Sequence, residues 1–147
     1  MMRFKEFYME LSVLLNYLQS FSLLFARVVL AYGFYEPALT KWTNFNTTTQ
    51  WFSSLSIPFA PFMTLLTASV EIIGVLFLLL GLFTRFITVP LMIIMLVAMV
   101  TVHFSNGFSV ANNGFEIPLY FFLFLSLLAS HGAGKFSLDA VIFGKGK

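Results

Sequence analysis

The chain of 147 residues contains no cysteine. That excludes disulfides, thiol nucleophiles, iron–sulfur ligation and c-type haem attachment within it. Charge is also scarce. Asp, Glu, Lys and Arg make up 10% of the residues, against about 25% in a soluble domain. The net charge of +2 is too small for a surface that grips nucleic acid. Histidine occurs only as His103 and His131. They fall at the C-terminal ends of two successive apolar stretches, which puts them at opposite faces of a membrane, so they do not suit the two axial positions of one haem. A Walker loop, G-x-G-x-x-G, G-x-S-x-G and H-E-x-x-H are all missing.

What is present is apolar. Hydrophobic residues account for 59% of the chain, Phe occurs 20 times and the mean hydropathy is +0.92. This is the composition of an integral membrane protein, with the lipid bilayer as its first partner. The longest apolar stretch, Pro61 to Arg85, is long enough to cross a bilayer as a helix. Thr64, Thr67, Glu71, Gly74 and Gly81 fall near one face of it. Small faces of membrane helices turn to other helices and bulky faces to lipid.

Four spans are expected, at about 17–35, 61–82, 86–104 and 116–131. The fold class is then an all-α transmembrane four-helix bundle, up-down-up-down, in one domain over residues 1–147. Residues 1 to about 15 mix charge with Phe, Tyr and Leu and predict a helical lead-in at the interface. No A-x-A-like cleavage site follows, so the first span reads as retained. Glu36-Pro37 is expected to end that span. The polar segment 41–57 predicts a short helix capped by Asn46, with Trp42 and Trp51 as interfacial anchors. Arg3, Lys5, Arg85, Lys135, Lys145 and Lys147 fall on one side of this layout, and Lys41 on the other. The excess of Lys and Arg makes both termini cytoplasmic.

Ionisable groups inside a membrane are costly, about 2.5–3.5 kcal/mol for Asp, Lys or Arg at a helix centre on insertion scales, and are functional candidates by default. Arg27 and Glu71 come out at similar depths and form the expected ion pair. His103 and Glu116 lie near the outer ends of spans three and four. Arg27, Glu71, His103 and Glu116 are therefore the candidate binding residues. The competing reading is that they only fix helix register. His131, at a helix C-terminus, suits the macrodipole there. On span three, Met95, Met99 and His103 recur every four residues. Thioether and imidazole suit Cu(I), while Met also serves as a gap-filler in packing.

The segments FARVVLAYGFYEPALTKWTNF, TASVEIIGVLFLLLGLFTR, VPLMIIMLVAMVTVHFSNGF, NGFEIPLYFF and GAGKFSLD together resemble the DoxX family of small four-span bacterial membrane proteins. The resemblance covers roughly residues 20–140 and within the family is nearest the HvfX branch. It implies a four-helix bundle in the bacterial cytoplasmic membrane. It implies membrane redox work for relatives, including a thiosulfate:quinone oxidoreductase subunit and a complex with superoxide dismutase. For the HvfX branch it implies an accessory role beside copper-binding peptides. Family members often carry Gly where this chain has Pro37-Ala38, and a Gly pair where it has Ile72-Ile73.

Three functions compete. The first is a non-catalytic accessory subunit of a redox or copper-peptide maturation system, held by protein partners or in an oligomer. The second is a quinone-binding oxidoreductase subunit, with His103 and Arg27 donating to the ring oxygens and Glu71 or Glu116 carrying protons. The third is a small transporter or proton path.

Overall fold

The computed structural model describes residues 2–144. Lys145 and Lys147, two of the charges used to orient the chain, lie outside the described residues. All regular structure among the described residues is helical. The α-helices are α1 (Met2–Thr43), α2 (Phe45–Ser54), α3 (Ala60–Leu80), α4 (Thr84–Ala98), α5 (Glu116–His131) and α6 (Leu138–Ile142). Helix α4 continues through a π-helical turn, Met99–His103, and a 3-10 turn, Phe104–Asn106.

Three helices are long and apolar enough to cross a membrane: Arg3–Thr43, Ala60–Leu80 and Thr84–Asn106. The fourth, α5, is apolar but has 16 residues, about 24 Å at 1.5 Å per residue. Helix α1 packs on α3, α3 on α4, α4 on α5, and α5 back on α1. Arg27 meets Leu78 while Lys41 meets Glu71, so α1 and α3 run antiparallel. The protein is the all-α bundle that its hydropathy predicts.

The bundle has two unlike ends. The turn end carries the α3–α4 turn and α6. The loop end carries α2 and the 105–115 loop. The solid core lies toward the turn end, where Leu30, Leu78, Leu91, Leu125 and Leu128 are all 0% exposed. The small face of α3 is turned inward: Thr64, Glu71, Gly74 and Gly81 are buried, while Thr67 is half-buried.

The first span departs from expectation at both ends. Pro37 does not stop α1, which continues to Thr43. A proline ring clashes with the carbonyl four residues back, and here that residue is Gly33. Phe121 of α5 packs against Gly33, where a Cβ would overlap its ring. Neighbouring helices let membrane helices keep such prolines. At the other end, no break separates a lead-in from the span: α1 is one helix of 42 residues. The short helix α2 starts earlier than expected, with Asn44 rather than Asn46 at its N-cap.

Candidate functional site

Helix α1 decides where the charges meet. Because it runs on past Pro37, Lys41 stays helical and faces α3. Its Nζ donates to both carboxylate oxygens of Glu71, at 3.0 and 2.8 Å, and lies 3.4 Å from the Pro37 carbonyl. The Lys41 and Glu71 side chains are 14% and 3% exposed. Among the described residues this is the one ion pair.

The expected Arg27–Glu71 pair does not form. Arg27 is 0% exposed, but it lies about 21 Å along the helix from Lys41, at the turn end. Its Nη1 donates to the Leu78 carbonyl at 3.3 Å and its Nη2 to the Phe136 carbonyl. The error follows from ending the helix at Pro37, which placed Arg27 too near the loop end. One signal for Lys41 was available. Arg27, Phe34 and Lys41 are seven residues apart, so all three share a helix face.

The neighbouring segment, Ser137 to Asp139, fastens the turn end. Asp139 accepts from the backbone N–H groups of Phe83 at 2.7 Å and Thr84 at 3.0 Å. Its own N–H donates to the Gly81 carbonyl at 2.9 Å. Gly81 has φ +64°, and a Cβ there would stand 2.0 Å from Arg27 Nη1. The turn thus needs glycine for both its conformation and its space.

Toward the loop end the helices part around a cavity of about 650 Å³. Gly33, Phe34, Pro37 and Lys41 of α1 line one wall, and Met63, Thr67, Val70 and Glu71 of α3 the next. Helix α4 and its π turn contribute Ile94, Met95, Thr101 and His103; α5 contributes Ile117, Pro118 and Phe121. Trp51 and Phe52 of α2 form part of the lining. Thr49 ties α2 to α3 by donating to Thr64 at 3.2 Å. The surface is overwhelmingly apolar, with Lys41, Glu71 and His103 as its ionisable groups.

His103 Nδ1 is 2.8 Å from the Asn113 carbonyl. A carbonyl only accepts, so Nδ1 carries the proton, and Nε2 of a neutral ring is an acceptor. The π turn that ends on His103 is a form frequent at functional sites. Its wider turn also breaks the four-residue ladder of methionines. Met95 and His103 line the cavity, whereas Met99 is 9% exposed and does not line it. No group of three or more His, Asp or Glu among the described residues could hold a metal.

Glu116 belongs to the loop. Its Oε2 accepts from the Val110 N–H at 2.9 Å and its Oε1 from the Tyr120 hydroxyl at 3.2 Å. Of the four candidate binding residues, the cavity unites Glu71 and His103. It adds Lys41 and leaves out Arg27 and Glu116.

The profile of the DoxX family matches residues 22–104. The chain is similar to an uncharacterized protein of Haemophilus influenzae, 35% identical over 129 residues, covering 82% of this chain and 83% of that one. It is also similar to a Bacillus subtilis protein named "Putative oxidoreductase CatD", 32% identical over 125 residues, covering 84% of this chain and 88% of that one. No solved structure matches it significantly. With its apolar helices and these matches, the chain is a multi-pass membrane protein that belongs to the DoxX family.

Proposed function

We propose that this protein is a subunit of a redox system in the bacterial cytoplasmic membrane and that its cavity receives a quinone-class molecule. The observation that carries the reading is the cavity itself, about 650 Å³, apolar, with Lys41, Glu71 and His103 on its walls. Small-molecule sites span roughly 300–1,000 Å³ and pair apolar walls with a few placed polar groups. A flat ring bearing two oxygens, with an isoprenoid tail in lipid, matches that pattern. The name of the Bacillus subtilis relative points the same way.

The residues divide the work by chemistry. Lys41 can turn an ammonium N–H from Glu71 to a ring carbonyl. His103 Nε2 accepts from a quinol hydroxyl, and when protonated donates to a carbonyl. Glu71 exchanges protons with the bound ring. Reducing one quinone takes two electrons and two protons. In this reading the electrons come from a redox centre on a partner protein, and this chain binds the ring and handles the protons.

The test is to purify the protein in mild detergent, extract it and quantify quinone per chain. The wild type should carry near-stoichiometric quinone, lost in Glu71→Gln and in His103→Ala while helical circular dichroism is unchanged. Wild type without quinone overturns the reading. The copper-peptide accessory role implied by the HvfX resemblance has Met95 and His103 on the cavity wall in its favour. Titrating the same sample with Cu(I) distinguishes it.

A further inference from the structure

Helix α1 is far longer than the bundle it serves. Toward the N-terminus, Ser20, Phe21 and Leu23 lie beside Gly134 and Phe136 of the tail. The residues before them project beyond the turn end for about 27 Å. This projection is not polar. Phe4, Phe7, Leu11, Leu14 and Leu18 follow one another at alternating steps of three and four. They are 74%, 62%, 39%, 62% and 52% exposed. Directly beside that row stand the exposed Tyr8 and Leu15 on one side and Arg3, Glu10 and Tyr17 on the other, with Lys5, Ser12 and Gln19, spaced by seven, one step further round. The rhythm does not stop at the bundle. Phe21, Phe25 and Val28 continue it on the outer face of α1, and it runs unbroken to Leu39. A shallow groove walled by Phe21, Phe25, Val28 and Phe124 lies on this row.

Alternating steps of three and four, held over whole heptads, are the signature of a helix that pairs with another helix along a seam. We propose that the seam pairs with a second copy of this chain, as a parallel coiled coil about a two-fold axis along the membrane normal. Two arguments favour a copy over other partners. Every copy has the same orientation in the membrane, so two seams meet parallel and in register. Isologous pairing then sets each row against itself. The area also suffices: at about 100 Å² per large apolar side chain, the five projecting rows of two copies remove on the order of 1,000 Å², the size a specific interface requires.

A lipid surface is the rival occupant. To lie on it, the projecting part would have to bend sharply away from the span. Sharp kinks arise at Pro, Gly/Ser pairs or π-bulges, and α1 has neither Gly nor Pro before Gly33.

The absence of native cysteine makes the test direct. Single-cysteine variants of the full chain are oxidised in native membranes, with Leu11→Cys and Leu14→Cys on the seam and Lys5→Cys and Ser12→Cys off it. The seam positions should cross-link several-fold more than the flanking ones. A Phe7→Glu/Leu14→Glu variant should run as a monomer in detergent with its helical signal intact, because neither residue belongs to the bundle. Equal cross-linking at all four positions, or none, overturns the proposal. If none forms and lipid-borne spin labels quench a probe on Leu14→Cys, the membrane surface is the occupant. If none forms without quenching, the seam pairs with a different protein.

Discussion

Lys41 and Glu71 form the one ion pair among the described residues. Their side chains are 14% and 3% exposed, and both carboxylate oxygens are engaged. Removing one partner of a buried pair leaves the other charge uncompensated, at a cost of about 3–5 kcal/mol, whereas replacing both with apolar groups is often close to neutral. Lys41→Met is therefore expected to lower the thermal midpoint in detergent, and Lys41→Met/Glu71→Leu to recover most of the loss. A double variant no more stable than the single one would mean that the pair is not the source of the effect. The presence of a buried carboxylate at Glu71 was legible from its place in an apolar stretch. Its partner was not, because hydropathy cannot tell whether a proline ends a helix or is carried through it.

Among the elements, α4 depends most on a distant one. Phe83, just before it, has φ +46°, a left-handed conformation uncommon for a non-glycine residue. Asp139 accepts from the first two N–H groups there, so the tail supplies the N-cap that the local sequence lacks. Losing such a cap costs about 0.5–2 kcal/mol. Asp139→Ala should speed hydrogen exchange at Phe83, Thr84 and the first turn of α4, with α5 unchanged; equal protection in both proteins would remove the capping role. Read as sequence, the tail was only Gly-rich and basic. Nothing local marks Asp139 as the cap of a helix that begins 55 residues earlier. The π turn was equally hidden, since α and π turns make the same hydrophobic demands.

For the whole molecule, the contrast between its ends has a consequence for orientation. Arg3, Lys5, Arg27, Arg85 and Lys135 belong to the turn end and the α1 projection, and Lys41 stands alone toward the loop end. The positive-inside tendency then predicts a turn end in the cytoplasm and a cavity toward the outer leaflet. In intact cells, a membrane-impermeant maleimide should label Ser53→Cys on α2 and spare Lys135→Cys until the cells are opened. The opposite pattern would invert the molecule and place the cavity on the cytoplasmic side.

The sequence by itself determined the class of solvent, the number of apolar helices and which face of α3 is buried. All three follow from hydrophobicity and side-chain size read over a turn or two of helix. It also singled out Arg27, Glu71, His103 and Glu116, because ionisable groups in or beside apolar stretches stand out locally, and of these the cavity takes only Glu71 and His103. Only the tertiary structure decided which charge meets which, where the cavity opens and what caps α4. Those depend on how far along its axis each helix is set against its neighbours. For α1 that setting shows in Arg27 at the Leu78 carbonyl and Lys41 at Glu71, two side chains on one face of a helix that runs on through Pro37.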